Sequence, residues 1–361
     1  MTWTRREFTK LGAMGTAAMA VPGAFAQAEQ RVGFAVIGLG VIADHFMRGA
    51  RQSQHCRITA LVSGHRDKAE RIAAEYGVPK ESIYSYEEFD RIRDNKAVQA
   101  VYVALPNSMH AEYTIRAAKA GKHVFCEKPM AVSSAECRQM IDACKAANVK
   151  LMIAYRMQYE PLTLKCIDLV KTGQIGTVGA FESQFGFNIQ PGVWRTKKAL
   201  AGGGSVFDVG IYSLQAARLF TGEEPVEFKA YAGTVHKDDP RFAEMEESIE
   251  WTMKFPSGVV ASCASSYGAQ MEGFMRVHGV NGMIEMGPTF GYDGTTMKGR
   301  GKGGVRWDEV NSEKDPKQFE READHFAECV LNNREPKTPG EEGLRDLTYV
   351  EKIYEAAGIK L

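Results

Sequence analysis

The sequence predicts an α/β fold made of two domains in tandem. Its 361 residues are enough to build two hydrophobic cores. In the first half, short apolar runs rich in β-branched residues alternate with helix patterns, which is typical of a parallel sheet covered by helices. In the second half, apolar and polar residues alternate singly, which indicates strands of a sheet with one polar face.

The composition sets the broad class of the protein. Lys plus Arg and Asp plus Glu each number 45, so the net charge is zero. This balance argues against nucleic acid or an anionic membrane as the main partner. The eight histidines are dispersed without metal-ligand spacing, so we predict no metal site. The seven scattered cysteines form no C-x-x-C pair and do not resemble a disulfide framework.

The N-terminal segment differs from the rest of the chain. Paired arginines within residues 4–10 precede a mildly apolar run over 11–21, and residues 24–26 fit a small-x-small cleavage site. This is the form of a twin-arginine export signal, so we expect a periplasmic protein. The apolar run is too short to span a membrane. The alternatives are an amphipathic N-terminal helix, or a cytoplasmic protein that retains the signal.

A glycine-rich turn follows the first predicted strand, Val32–Ile37. Gly38, Gly40 and Ala43 have G-x-G-x-x-A spacing, and a helix pattern follows them. Gly38 permits a tight turn, Gly40 lets the backbone approach a pyrophosphate, and a small residue at 43 lets helix and strand pack closely. We therefore predict a dinucleotide site on the helix N-terminus, although a purely structural turn is the alternative. The residues of this turn assigned to the nucleotide are Gly38, Gly40, Val41 and Ile42.

The second predicted strand ends at Ser63, where NAD-specific sites usually carry an acidic residue. His65, Arg66 and Lys68 follow it. A hydroxyl together with cations suits the 2′-phosphate of NADP, because charge-assisted bonds to phosphate are strong. We therefore predict NADP rather than NAD. Asp67 is evidence against NADP, but we interpret it as an acidic residue in the first turn of a helix. The alternative for Arg66 and Lys68 is that they belong to a solvated helix face.

Three more predicted strands end in polar clusters, at 105–110, 127–129 and 155–161. The carboxyl ends of parallel strands meet at one edge of a sheet, and ligands of open α/β sheets bind there. The candidate site residues from these clusters are Leu105, Pro106, Asn107, His110, Glu127, Lys128, Tyr155 and Arg156.

The second half is predicted to form strands and two closing helices. Ile249, Trp251 and Met253 fall on one face of a strand predicted over 247–255, and the intervening polar residues fall on the other. The last helix can pack back on the first domain. The predicted divisions are an export segment over 1–30, a nucleotide-binding domain over 31–155, and a domain for substrate and oligomerisation over 156–361.

The stretch AGGGSVFDVGIY, residues 201–212, allows two interpretations. Ser205 and Asp208 match a capping box, with Tyr212 as a core aromatic. Alternatively, Asp208 and Tyr212 share one helix face and point into one cleft. Oxidation of a hydroxyl by hydride transfer needs a group that takes the proton. A tyrosine can serve if a nearby cation, here Lys128, stabilises its phenolate.

Several of these motifs together resemble the glucose–fructose oxidoreductase/inositol dehydrogenase (Gfo/Idh/MocA) family. The resemblance covers nearly the whole chain after residue 31 and implies a Rossmann domain followed by an α+β domain with a large, mostly antiparallel open sheet. Residues 200–212, with Val193-Trp194-Arg195, are similar to the glucose–fructose and aldose–aldose oxidoreductases within that family. The motifs that carry the family resemblance are Gly38-Leu-Gly40, Pro106-Asn107, His110 and Glu127-Lys128-Pro129.

The resemblance also implies roles for individual residues. Tyr212 would be the general acid/base, Lys128 would orient the reacting hydroxyl, and Asp208 would hold the sugar. Tyr155 and Arg156 are implied in substrate binding. Arg156, Trp194 and Arg195 would lie near the nucleotide or the sugar, with ordinary ion pairing or packing as the alternative. His110 has the alternative of a structural histidine.

The implied activity is that of an NADP-dependent aldose oxidoreductase. It would oxidise a pyranose at C1 to the lactone and pass the hydride, through tightly bound NADP, to a second sugar carbonyl. A sugar or dihydrodiol dehydrogenase with exchangeable cofactor is the second hypothesis, and a nucleotide-binding regulator is the third. We expect a homodimer or larger assembly through the second sheet.

Overall fold

A computed structural model describes residues 31–361, and the predicted export segment lies outside them. A six-stranded sheet has the order β3-β2-β1-β4-β5-β6, and every registered pair in it is parallel. This confirms the predicted Rossmann-type sheet. Its strands are β1 Val32–Ile37, β2 Cys56–Val62, β3 Ile83–Tyr84, β4 Ala100–Val103, β5 His123–Glu127 and β6 Leu151–Ala154.

Helices cover both faces of this sheet, which is why most of its strands are buried and apolar. All residues of β1, β4 and β6 are buried. Each crossover returns the chain to start the next parallel strand, so the carboxyl ends of the strands share one edge. The helices of this half are α1 Val41–Gln52, α2 Arg66–Tyr76, α3 His110–Lys119 and α4 Ser134–Ala146.

A second sheet of eight strands has the order β14-β13-β12-β11-β7-β10-β9-β8. Of its registered pairs, β10 with β7 is parallel and the others are antiparallel. The predicted mostly antiparallel sheet is therefore confirmed. The strands are β7 Val178–Gly186, β8 Glu227–Gly233, β9 Ser248–Lys254, β10 Val260–Ser266, β11 Met271–Gly279, β12 Gly282–Met286, β13 Thr296–Arg300 and β14 Arg306–Val310.

One face of the second sheet is apolar and packs against helices. In β9, Ile249, Trp251 and Met253 are buried, whereas Glu250 and Lys254 are exposed, as the sequence alternation predicts. The helices between the strands are α5 Pro161–Lys171, α6 Lys198–Ala201 and α7 Ile211–Thr221. A π-helical turn, Val206–Gly210, precedes α7 directly.

The last two helices, α8 Lys317–Leu331 and α9 Gly340–Ala356, return to the nucleotide-binding half. Helix α8 packs against α1, and the contact is close because Gly49 has no side chain. A Cβ at Gly49 would lie 2.9 Å from the Cβ of Phe319. Helix α9 packs against α4 and β8. Within residues 31–361, no helix is both long and apolar enough to cross a membrane.

Candidate active site

One cleft, with a volume of about 870 Å³, follows the carboxyl edge of the first sheet and continues to the start of α7 and the aromatic side chains beside the second sheet. Most of the predicted site residues meet in it. Those lining the cleft are Gly38, Gly40, Val41, Ile42, Ser63, Lys68, Leu105, Pro106, Asn107, His110, Glu127, Lys128, Arg156, Trp194, Arg195, Asp208 and Tyr212.

The glycine turn after β1 has the shape that a pyrophosphate needs. Gly38 has a positive φ of 80°, and a Cβ there would lie 2.3 Å from the carbonyl oxygen of Ala104, so only glycine fits. At Gly40 a Cβ would meet open space. Among the described residues, no side chain caps the N-terminus of α1 at Gly40. The free N–H groups of the first turn therefore face the cleft, as an anion site requires.

The end of β2 offers some of the predicted cations but not all of them. Ser63 is buried, and its Oγ accepts a bond from the backbone N–H of His65 at 3.0 Å. His65 and Lys68 line the cleft. Arg66 does not: its guanidinium donates to the Glu70 carboxylate and to the Ile83 carbonyl. As the first residue of α2, Arg66 turns its side chain away from the edge of the sheet, which corrects its predicted nucleotide contact.

Two predicted site residues that follow β4 make hydrogen bonds to backbone carbonyl groups. Asn107 donates through its side-chain amide to the carbonyl of Ala201 at 2.9 Å, which links the nucleotide side to the glycine loop. His110 is buried, and both ring nitrogens lie 2.9 Å from carbonyl oxygens, those of Leu105 and Pro129. Burial lowers the pKa of His110 although the carbonyls oppose it. The structural alternative therefore describes His110 well.

Glu127 and Lys128 stand at the end of β5. The Glu127 carboxylate accepts bonds from the Tyr102 hydroxyl and from the backbone N–H of Lys128. Burial raises its pKa above the ordinary glutamate value. The Lys128 ammonium donates to the backbone carbonyl of Asp208 at 2.6 Å and to its carboxylate at 3.2 Å. Lys128 thus joins the first sheet to the segment that precedes α7.

The capping-box interpretation of Ser205 and Asp208 is wrong. No side-chain bond caps the segment at Ser205. The Ser205 hydroxyl instead bonds that of Ser265, from β10, at 2.8 Å. The Asp208 carboxylate accepts from Tyr267 at 2.9 Å and lies 3.0 Å from the guanidinium of Arg195. The π-helical turn therefore presents Asp208 to the cleft instead of to its own backbone.

Charge in the site is paired. Burial acts against ionisation of Asp208, but Lys128 and Arg195 outweigh it and lower the pKa of that carboxyl to about 2. For Lys128, burial also acts against the charge, yet Tyr212 and the carboxylates of Asp208 and Glu127 raise the pKa of the ammonium above its ordinary value. At neutral pH the site thus holds an aspartate anion between two cations.

The Tyr212 ring contacts two cations and an aromatic ring. The Lys128 ammonium is 4.6 Å from the ring centroid, and the Phe290 ring stacks on it with centroids 5.4 Å apart. The hydroxyl oxygen, however, accepts its bond from Nε of Arg156 at 3.2 Å. Lys128 and Arg156 therefore both lie over the ring, and Arg156 also contacts the oxygen that would carry the proton.

Of the two substrate residues predicted after β6, Arg156 lies in the cleft and Tyr155 does not. Tyr155 is 2% exposed, belongs to the hydrophobic core and does not line the cleft. The chain passes from β6 into a 3-10 turn, Arg156–Tyr159, at this point, and there Tyr155 packs inward whereas Arg156 reaches the cleft. Arg156 is buried too, and its guanidinium also donates to the Gly291 carbonyl and the Gln318 amide oxygen. Its bonds are thus made to protein groups.

Aromatic side chains that the sequence did not assign to the site form one wall of the cleft. Phe185 and Phe187 extend from the end of β7, where the single alternation of the strand could have revealed them. Phe290 and Tyr292 lie on the loop after β12, which carries no sequence signal. On the facing side, the Arg195 guanidinium stacks on the Trp194 ring at 4.6 Å. Flat apolar faces beside charged donors suit a polar ring such as a sugar.

Comparison with known proteins agrees with this architecture. A family model described as an oxidoreductase family with an NAD-binding Rossmann fold matches residues 32–155, and the Gfo/Idh/MocA C-terminal domain matches 163–285. A D-xylose 1-dehydrogenase [NADP(+)] of Haloarcula marismortui is 32% identical over 91% of this chain and 92% of its own length. A second D-xylose 1-dehydrogenase, from Haloferax volcanii, is 31% identical over 90% of this chain and 97% of its own length.

Solved structures agree as well. The crystal structure of aldose–aldose oxidoreductase from Caulobacter crescentus, complexed with glycerol, has a TM-score of 0.87 and 44% identity, covering 92% of this chain and all of that chain. A levoglucosan dehydrogenase has a TM-score of 0.80 at 20% identity, covering 91% of this chain and 98% of its own, and this likeness concerns the fold. The chain belongs to the Gfo/Idh/MocA family of oxidoreductases, as its motifs predict.

Proposed function

We propose that this protein is an aldose oxidoreductase working on one bound NADP, within the broader class of NADP-dependent sugar oxidoreductases. It oxidises a pyranose at C1 to the lactone and reduces the carbonyl of a second sugar in a ping-pong cycle. The convergence of Lys128, Asp208 and Tyr212 at the end of a dinucleotide cleft carries this proposal. The aldose–aldose oxidoreductase neighbour and the NADP(+)-dependent xylose dehydrogenases support the substrate class and the cofactor.

The cleft has groups that suit both the pyrophosphate and the 2′-phosphate of NADP. The open space at Gly40 and the uncapped N-terminus of α1 would hold the pyrophosphate. Ser63, His65 and Lys68, which line the cleft at the end of β2, would hold the 2′-phosphate. When bound, the nucleotide supplies the hydride acceptor and donor, and the residues of this chain supply positioning and proton transfer.

The reaction needs a group that moves one proton while the C1 carbon loses or gains hydride. Tyr212 takes the proton of the C1 hydroxyl in the oxidative half, and gives a proton to the carbonyl oxygen of the second sugar in the reductive half. Lys128 places a positive charge beside the reacting oxygen. The ionised Asp208 accepts hydrogen bonds from neighbouring sugar hydroxyls. Phe290, which stacks on Tyr212, shields a face of the tyrosine ring from water.

The experiment is to purify the protein without added nucleotide and supply two sugars. We expect co-purified NADP and equal amounts of lactone and polyol, with no requirement for added cofactor. A Tyr212→Phe protein is the matched control, because it loses the proton-carrying hydroxyl and keeps the ring that stacks on Phe290. Protein that contains no NADP and forms neither product would contradict the proposal.

A dehydrogenase that exchanges its nucleotide every turnover is the second candidate. The identity with D-xylose 1-dehydrogenases over nine-tenths of the chain favours it. In the same assay, lactone would then form only in proportion to the NADP added, and no polyol would appear. The stoichiometry of lactone to added NADP separates the two functions in one experiment.

We also propose that the protein is exported and acts as a homodimer or larger assembly in the periplasm. The paired arginines within residues 4–10 and the cleavage pattern at 24–26 support export. The polar face of the second sheet supports assembly, since strand residues such as Ser262 and Glu250 project from it. Replacing Arg5 and Arg6 by Lys should retain the protein in the cytoplasm, and native mass spectrometry would report cleavage and subunit number.

A further inference from the structure

We propose that Arg156 is the positioning residue for Tyr212: it holds the phenolic oxygen so that the tyrosine proton faces the cleft. This inference rests on the proposed function, in which Tyr212 carries the proton. Nε of Arg156 donates to the Tyr212 oxygen at 3.2 Å. Since the oxygen accepts this bond, its own hydrogen must point elsewhere, and Arg156 is its one hydrogen-bond partner within residues 31–361.

Arg156 suits this role better than Lys128 does. The Lys128 ammonium donates to the carbonyl and to the carboxylate of Asp208, and within the described residues it makes no hydrogen bond to the Tyr212 oxygen. Both cations lie over the Tyr212 ring, with Lys128 Nζ 4.6 Å and the Arg156 guanidinium carbon 5.0 Å from the centroid, and within residues 31–361 Arg156 is the one that also donates to the phenolic oxygen. A cation over the face stabilises the ring weakly, whereas a donor to the oxygen stabilises the charge that appears on that atom.

The guanidinium of Arg156 is held in a fixed orientation. It is 4% exposed. One terminal nitrogen donates to the Gly291 carbonyl and the Gln318 amide oxygen, each at 2.9 Å, and the other donates to the Phe290 carbonyl. These bonds brace the planar fork against the loop after β12 and against α8, which leaves Nε directed at Tyr212. Arginine also stays protonated at any working pH, so the positive charge is permanent.

The consequence for the reaction is a proton carrier with a fixed direction. When the Tyr212 oxygen is ionised, its negative charge lies against the Arg156 cation in a charge-assisted hydrogen bond. The sugar hydroxyl then gives its proton to that oxygen, and the second sugar later removes it. The bond from Nε persists through both transfers, because Arg156 neither gains nor loses a proton.

The test compares Arg156→Gln, which removes the charge but keeps an amide donor for the buried carbonyls, with Arg156→Lys, which keeps the charge. For Arg156→Gln we expect kcat to fall by about 100-fold with the sugar KM within about threefold. The acidic limb of the pH–rate profile should move up by about 1 to 3 pH units. Arg156→Lys should restore kcat to within about tenfold of the parent, with its profile near the parental one.

Gln318→Leu is the matched control. It removes one brace of the same guanidinium and leaves the Nε contact with Tyr212 in place, so its pH profile should stay where the parental one lies. An unmoved profile in Arg156→Gln, with the loss confined to KM or to thermal stability, would overturn the proposal. If Arg156→Gln does not fold, an Arg156→Lys protein with a profile displaced as far as 3 pH units would overturn it instead.

A readout without substrate separates this inference from the proposed function. The phenolate absorbance that is missing from Tyr212→Phe protein reports the ionisation of Tyr212 alone, and it should move to higher pH in Arg156→Gln. If it moves while no sugar is oxidised, the sugar function fails and the Arg156 role stands. If it does not move although Tyr212→Phe abolishes sugar oxidation, the Arg156 role fails alone.

Discussion

Replacing Glu246 by Gln should change how stability depends on pH, because this carboxyl is buried beneath the glycine loop that precedes Asp208. Glu246 is 7% exposed, and its Oε1 accepts a hydrogen bond from the hydroxyl of Tyr354 at 2.7 Å. That hydroxyl in turn accepts a hydrogen bond from the backbone N–H of Gly204 at 2.9 Å. A Cβ at Gly204 would lie 2.3 Å from Oε1, so the carboxyl fills the space that the glycine leaves.

The size of the change in stability follows from the shift in the pKa of Glu246. Burial raises the pKa of Glu246 from 4.5 to about 7, against the opposing bonds from Tyr354 and the backbone. A group with a raised folded pKa contributes stability that is complete below pH 4.5 and is lost as the pH rises through about 7. The free energy of unfolding should therefore fall by up to about 3 kcal/mol over this window for this group. The Gln side chain stays neutral at every pH, so the Glu246→Gln protein does not lose this stability.

Urea unfolding of the parent and Glu246→Gln proteins, between about pH 5 and pH 8, measures the difference. Relative to the parent, the variant should gain about 2 to 3 kcal/mol across this range. Tyr354→Phe removes a donor to the carboxylate, so it should enlarge the pH effect in the parent and have no pH-dependent effect in the Glu246→Gln protein. Parallel pH dependences for parent and Glu246→Gln would contradict a raised pKa of the Glu246 carboxyl in the folded protein.

Three further predictions concern the cleft itself. Gly38→Ala should cost at least about 1 to 3 kcal/mol in unfolding free energy, since its Cβ would meet the Ala104 carbonyl at 2.3 Å; equal urea midpoints would contradict this. Lys68→Ala should weaken NADP more than NAD in nucleotide titrations, whereas the matched control Arg66→Ala should leave their ratio unchanged; equal effects of the two variants would contradict the placement of Lys68. Asp208→Asn should lose about 2 kcal/mol of stability at neutral pH, since its neighbouring cations lower the pKa of the carboxyl from 3.8 to about 2. That stability is present above pH 3.8 and is lost as the pH falls through about 2, so a variant as stable as the parent at pH 7 would contradict it.

Local patterns predicted the nucleotide half well because its determinants are close together in the chain. The strand Val32–Ile37 and the turn at Gly38 follow from apolar periodicity and from backbone sterics, which act over a few residues. Lys128 and Asp208 were also found, since strand ends and helix faces can be inferred from spacing. The structure adds that their side chains meet.

Contacts between distant segments could not be predicted in this way. The Ser205 hydroxyl forms a hydrogen bond with Ser265 on strand β10. This bond to a distant segment takes the place of the capping bond that the local sequence predicts. Arg156 was expected to bind ligand, but three of its acceptors lie on the loop after β12 and on α8. Such pairings depend on the packing of both sheets, which no single window of sequence contains.

The central claim is that hydride passes between two sugars on a nucleotide that does not leave. Protein purified without added cofactor, given an aldose deuterated at C1 and an unlabelled second sugar, tests it directly. The polyol should carry one deuterium from the donor, and added unlabelled NADPH should not dilute the label. A polyol without deuterium, or label that falls in proportion to added NADPH, would contradict it.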